Sequence, residues 1–394
     1  MTVQTEIDSL LHHAASSGNV PGVVAMAASD RGLIYEGAFG QRDLATGVAM
    51  TQDTVFRIAS MTKAVTCVAA MQLVEENLIG LDAPLSSLGA TIDRTLTAPQ
   101  VLEGFDAEGR PRLRPAKRPI TLRHLLSHTA GFVYAAWNAD IQRYVTTMNL
   151  PSTTSAKRGS LDQPLLFDPG ERWEYGINID WVGQIVETLR RTSLDVVLRE
   201  RIFAPLGMTD TGYVPSDDQY ARLAGLAQRQ ADGSLQPLSV NKPTVPEIFT
   251  GGAGLLSTAG DYLRFVRMLL GGGTLEGVRI LRPETVALMH GNHTGELPAG
   301  VLKTAMPARS NDVDLFPGRV TRWSLGHMLN VDGSANGRAA GSVNWGGVFN
   351  SYYWIDPVRR VTGVMMTQVM PFADARVLAT LGGFERAVYE AAGH

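Results

Sequence analysis

The chain has 394 residues, 44% of them hydrophobic and 19% charged, with a formal net charge of −3. That length leaves room for a large core in two or three domains or one composite body, and that charge gives no footing for nucleic acid or an anionic membrane surface. One cysteine, Cys67, excludes an intramolecular disulfide, so folding does not require an oxidising compartment.

The first residues, Met1 to Glu6, carry neither a basic stretch nor a long apolar run, and no run of about 18 apolar residues occurs elsewhere. The expectation is a soluble, cytoplasmic protein with no membrane partner. Residues 4–16 place Ile7, Leu10, Leu11 and Ala14 on one side of a helix. Strand-like runs follow at 23–28 and 33–40, joined across Asp30-Arg31-Gly32. Residues 41–54 are polar and turn-rich.

Next comes Phe56-Arg57-Ile58-Ala59-Ser60-Met61-Thr62-Lys63-Ala64-Val65-Thr66, which reads as the opening turn and a half of a buried helix. The apolar run continues through Val68, Met71 and Leu73 and stops at Glu75-Glu76-Asn77. On that reading Ser60 and Lys63, three residues apart, share a face. A hydroxyl attacks an acyl carbon only when something takes its proton, and a neutral lysine can take it. Burial and the partly positive helix N-terminus both favour the neutral amine. Ser60-x-x-Lys63 is therefore a candidate activated nucleophile. Lysine is scarce here, five against thirty arginines, so its use at position 63 is not casual. Cys67, two turns beyond Ser60, reads as a small core side chain.

Residues 81–120 carry little regular pattern, and the basic, proline-rich stretch 110–119 reads as a stiff, solvated loop in preference to an anion-binding patch. A short helix at 120–127 is followed by a break at Gly131 and an aromatic loop with Phe132, Tyr134 and Trp137. Residues 138–200 read as mostly helical, with a turn at Pro169-Gly170 just before Tyr175. After the loops of 201–250, Gly251-Gly252-Ala253-Gly254 precedes a helix at 259–270. That glycine run lacks the pattern of a phosphate cradle and reads as structural. Strands are expected at 323–331, 342–356 and 361–369, with a hairpin turn at Asp356-Pro357, and a helix near 375–392 closes the chain. Strands at both ends around a helical middle predict an α+β fold. One antiparallel sheet flanked by helices would be built from residues 1–82 and 201–394, with 83–200 a mostly helical insertion domain.

A lone Ser-x-x-Lys is weak, because Ser239-Val-Asn-Lys242 matches it too, although Pro243 follows and no periodic helix surrounds it. Two partners are in view. Tyr175 can relay a proton between nucleophile and leaving group. In Trp345-Gly346-Gly347-Val348, strand glycines admit a ligand and an edge N–H can serve an oxyanion. Taken alone, Tyr175 reads rather as a core or rim tyrosine, and the glycine pair could equally be a bulge. Scanning for GxSxG finds none. His124 and His128 have i, i+4 spacing, but Leu125 stands where a zinc-protease helix has Glu, and His290 with His293 lacks a third ligand. No metal or cofactor is expected.

Taken together the motifs resemble the serine β-lactamase-related family, and within it the family VIII carboxylesterases. Leu122-Arg-His-Leu-Leu-Ser-His-Thr-Ala-Gly-Phe132 is similar to a hallmark stretch of that family. Tyr175 falls where the family has its Tyr motif, and Trp345-Gly346-Gly347 resembles the Trp-x-Gly of the esterase branch, standing where β-lactamases carry Lys-Thr-Gly. The resemblance spans about residues 5–390. It implies Ser60 as the acylated nucleophile, Lys63 and Tyr175 as the proton-handling pair, Tyr134 as the residue that positions them, and the Ser60 and Val348 amides as the oxyanion site.

Two departures matter. Tyr175-Gly176-Ile177 stands where Tyr-x-Asn is usual, with Asn178 one place late, and Lys303-Thr304 is followed by Ala305 and lies too early. Both favour neutral esters over β-lactams. The expectation is a serine carboxylesterase acting on a small-molecule short-chain or aryl ester, in an apolar neighbourhood of Phe132, Trp137, Trp345 and Phe349. Alternatives are a β-lactamase, a D-aminopeptidase-type amide hydrolase or an acyltransferase, and, of another class, a slow-acylating penicillin-binding protein. The sequence does not give the oligomeric state.

Overall fold

The computed structural model describes residues 3–394. Helix α1 (Val3–Ser16) leads into strands β1 (Gly22–Ser29), β2 (Gly32–Asp43) and β3 (Val48–Ala49). Helices α2 (Thr62–Glu75), α3 (Asn178–Arg190) and α4 (Ala259–Leu270) follow. The chain then adds β4 (Thr321–Trp323), β5 (Met328–Asn330), β6 (Val343–Gly347), β7 (Ser351–Asp356) and β8 (Val361–Met366), and ends in α5 (Ala375–Ala391). The eight strands form one sheet in the order β4-β5-β6-β7-β8-β1-β2-β3. All neighbours are antiparallel, so the sheet joins the two ends of the chain, with Val24 of β1 opposite Met366 of β8.

Helices cover both faces, which is why β7 and β8 are buried at every position and β1 at all but its last. On one side α1 and α5 pack together, with Ile7, Leu11 and Ala14 inward; on the other, α4 lies across β1, β7 and β8. Helix α2 is buried from Thr62 to Leu73. A helix apolar all round belongs inside, and α3 packs along it. The α+β fold, the β1–β2 pair, α4 and the β7–β8 hairpin at Asp356-Pro357 match the sequence expectation. Among the described residues no helix is long and apolar enough to cross a membrane.

Three local expectations need correction. The 81–120 stretch contains a hairpin, Gln100–Phe105 paired with Pro111–Pro115. It is pinned where Arg114 reaches the buried Asp168 at 2.7 Å, so regular structure stands where the sequence showed little pattern. The run 342–356 is two strands folded back at 348–350, and 323–331 divides in the same way into β4 and β5. The 348–350 turn has no sequence signature because its other residues, Val348 and Phe349, are apolar and its one polar side chain, Asn350, is buried. Asn350 is 0% exposed and its side-chain amide donates to the Val369 and Pro371 carbonyls, so no exposed polar cluster marks the reversal. Finally, the helix expected from Phe56 begins only at Thr62.

Candidate active site

Residues Phe56–Arg57 form a short strand against Leu256–Ser257, and the chain then makes a single 3-10 turn, Ala59–Met61, before α2. Ala59 has φ 46°. The left-handed region costs a non-glycine residue about 1 kcal/mol, and here that strain sits immediately before Ser60. Ser60 thus rides on a tight turn that feeds the helix, and Lys63 occupies the helix's first turn.

The two still meet, with Lys63 Nζ 3.2 Å from Ser60 Oγ. Lys63 is 1% exposed, and two further oxygens satisfy its amine: the Tyr134 hydroxyl at 3.1 Å and the Gly252 carbonyl at 2.7 Å. A protonated lysine has three donors, and three acceptors surround this one. Asp180, in the first turn of α3, ties the last two acceptors together. Its Oδ2 accepts from Tyr134 at 3.0 Å and its Oδ1 accepts from the Gly252 amide at 2.9 Å. Burial raises the Asp180 pKa, with the Lys63 charge opposing. Burial, then the Asp180 charge, push the Tyr134 hydroxyl well above the ordinary phenol.

Tyr175 lies across the same amine, its ring centroid 4.8 Å from Lys63 Nζ. Its hydroxyl accepts a 2.8 Å hydrogen bond from Trp345 Nε1. Trp345 is buried behind Tyr175, not facing the open site, so its polar contact is with the tyrosine. Gly346 and Gly347 act through packing. A Cβ on Gly347 would collide with the Ile58 carbonyl, so glycine there lets the end of β6 rest against the Ser60 turn. Val348, the next residue, then comes to the mouth of the site.

In front of Ser60 opens a cavity of about 430 Å³, lined by Ser60, Tyr134, Trp137, Asp180, Arg309 and Val348 among others. Of the eight residues singled out from the sequence, Ser60, Tyr134 and Val348 line it. Lys63, Tyr175 and Trp345 stand one layer behind, and Gly346 and Gly347 shape the strand beneath. The second Ser-x-x-Lys does not join them, because Lys242 bonds the exposed Asp217 at 2.8 Å. Asn178, one place late in the sequence, spends its amide on the Phe132 carbonyl at 2.9 Å and on His128 Nδ1 at 3.0 Å. It ties the start of α3 to the loop that leads to Tyr134.

Sequence reasoning missed Asp180 and Gly252. An aspartate early in an amphipathic helix is ordinary, and a backbone carbonyl acceptor has no sequence signature. The Gly251-Gly252 run was visible, but nothing in it said that a lysine would bond its backbone.

Comparisons with known proteins place the chain by family and fold. The family model for beta-lactamase matches residues 7–385. Monacolin J acid methylbutanoyltransferase of Aspergillus terreus is 34% identical over a 411-residue alignment that covers 97% of this chain and 95% of that protein. Lovastatin esterase of Penicillium rubens is 30% identical over 389 residues, covering 95% of each. Among solved structures, unliganded simvastatin synthase (LovD) from Aspergillus terreus has a TM-score of 0.84 at 29% identity, across 99% of this chain and 98% of that one.

Proposed function

The chain belongs to the beta-lactamase family and has its fold, and on that premise we propose that it is an acyl-serine enzyme that moves an acyl group from an ester to an alcohol, with water as the competing acceptor. The observation that carries this reading is the 3.2 Å contact between Lys63 Nζ and Ser60 Oγ on the wall of the cavity. The sequence put ester hydrolysis first. Near full-length relatives named for acyl transfer and for ester hydrolysis bring transfer forward, and a cavity of about 430 Å³ has space for an acceptor beside the acyl chain.

In its neutral form Lys63 accepts the Ser60 proton as Oγ attacks the acyl carbon, forming the C–O bond of a tetrahedral intermediate. The Ser60 and Val348 amides meet the oxyanion. The intermediate collapses to acyl-Ser60 as the alcohol leaves, taking its proton from Tyr175, whose hydroxyl the Trp345 indole orients. An incoming alcohol or water then reverses these steps and frees the serine.

The test is turnover of p-nitrophenyl butyrate with and without a primary alcohol, following p-nitrophenol, butyrate and the new ester. The reading expects new ester to rise with alcohol and Ser60→Ala to abolish p-nitrophenol release. Acid alone at saturating alcohol would make the protein an esterase. A single stoichiometric burst would make it a slow-acylating binding protein, and faster turnover of a chromogenic cephalosporin a β-lactamase. Full activity in Ser60→Ala would remove the mechanism altogether.

A further inference from the structure

The walls of the Ser60 cavity carry two charged side chains, and they differ in one respect. Asp180 is occupied by Tyr134 and Gly252. The Arg309 guanidinium forms no side-chain hydrogen bond and no ion pair among the described residues. Most arginines of this chain that are drawn away from water have an acid: Arg114 holds Asp168, Arg229 holds Asp374, and Arg338 holds Glu385. A partly buried cation without a counter-ion is costly. Burial lowers the Arg309 pKa, with nearby Tyr134 opposing, yet a guanidinium stays charged at any pH the protein meets.

Nor is Arg309 on a free loop. The Ala305 amide donates to the Ala136 carbonyl at 2.8 Å, the Arg309 amide donates to Met306 at 2.9 Å, and the Arg309 carbonyl accepts from Phe372 at 3.0 Å. Its neighbour Ser310 accepts from Trp137 Nε1 at 3.1 Å. The segment is therefore fastened to the Ala135–Trp137 turn on one side and to Phe372 on the other. It carries an unpaired, planar cation, on a fastened backbone, at the wall of the cavity that Ser60 opens into.

Resting on the acyl-Ser60 reading, we propose that Arg309 is a specificity-determining residue that binds a carboxylate carried by the substrate. A guanidinium pairs with a carboxylate through two parallel N–H···O bonds, which fixes orientation as well as charge. The absence of Lys-Thr-Gly on β6 led the sequence to expect neutral esters. Arg309 restores a cation to the site from a different part of the chain. The carboxylate reaches it either on the acyl donor or on the acceptor alcohol, and the two sources separate experimentally.

The donor arm compares p-nitrophenyl hemiglutarate with p-nitrophenyl pentanoate. The acceptor arm uses p-nitrophenyl butyrate and compares 6-hydroxyhexanoate with its methyl ester. On one arm the wild-type protein should prefer the carboxylate by about tenfold or more in kcat/KM. Arg309→Gln should bring that ratio to about one, and Arg309→Lys should retain part of it. The readout is a ratio within each variant, so loss of folded protein cancels. A binding arm needs no turnover: calorimetry of monomethyl adipate against dimethyl adipate on Ser60→Ala, with and without Arg309→Gln. No preference on any arm while Arg309 is present, or a preference that survives Arg309→Gln, overturns the proposal. Turnover that survives Ser60→Ala instead overturns the acyl-Ser60 reading, and the binding arm still decides Arg309.

Discussion

Tyr134 donates its hydroxyl proton to Asp180 Oδ2 across 3.0 Å while accepting from Lys63 Nζ at 3.1 Å. The same carboxylate takes the Gly252 amide, and the Gly252 carbonyl takes a second Lys63 proton. One buried acid therefore sets two of the three acceptors that hold the lysine against Ser60. Its role is positioning, since it touches neither Ser60 nor the reacting atoms.

Asp180→Asn keeps one acceptor oxygen but turns an N–H toward a group that was donating. We expect kcat to fall about 10- to 100-fold with a smaller change in KM, because the main defect lies in the aim of Lys63, although Asp180 also lines the cavity. Steady-state kinetics on p-nitrophenyl butyrate, with a melting curve to show that the variant is folded, decides it. A wild-type kcat would mean that the lysine needs no such frame.

Trp345→Phe removes the indole N–H that Tyr175 accepts and leaves most of the ring. Losing one such hydrogen bond should cost about 1 kcal/mol in stability, and loss of the tyrosine's aim about tenfold in kcat. Trp354→Phe is the control. Trp354 is equally buried, but its Nε1 has no partner, so its rate should hold. Equal rate losses in the two variants would assign the Trp345 effect to packing alone.

Gly347→Ala places a methyl against the Ile58 carbonyl, in the turn before Ser60. Overpacking of this kind costs about 1–3 kcal/mol, and either β6 or the Ser60 turn must move to relieve it. Both a lower melting temperature and a lower kcat should follow. Unchanged values for both would show that the strand and the turn are not in close contact.

Acid should destabilise the protein earlier than its carboxylates alone would dictate. His128 and His327 are 0% exposed, and burial drives both imidazoles well below their ordinary pKa, with the Lys63 charge adding at His128 and His290 at His327. His124, His290 and His293 shift the same way, first through burial. A folded-state pKa below the unfolded one means that the unfolded chain binds protons first. Stability is therefore complete above about pH 6.5 and falls as the pH drops, by about 1.4 kcal/mol per pH unit for each histidine fully in its window. Chemical denaturation between pH 7.5 and 5.5 should show this slope, shallower in His327→Gln. A flat profile would mean that these imidazoles take up protons in the fold as readily as in the unfolded chain.

The fold was legible wherever a periodicity had room to express itself. Residues 259–270 show a 3.6-residue apolar pattern and form α4, and the two-ended supply of strands implied the sheet that joins β1 to β8. The turn at 348–350 was not legible, because its one polar side chain, Asn350, is satisfied inside the protein, and a turn is usually recognised by exposed polar residues. Nor was the true start of α2, because alanine at position 59 gives no signal of the left-handed conformation it adopts beside β6.

Sequence alone therefore determined the identity and spacing of Ser60 and Lys63, the order of Tyr175 and Trp345-Gly346-Gly347 behind them, and the alternation of helix and strand. These depend on local periodicity and on short motifs. Only the tertiary structure decided which groups stand around Lys63 Nζ, that Trp345 addresses Tyr175 and is buried behind it, and that Arg309 faces the cavity unpaired. The Tyr134 and Gly252 partners of Lys63 lie 71 and 189 positions from it, and Trp345 lies 170 from Tyr175. A contact at that separation is set by how whole elements pack, which no local pattern encodes.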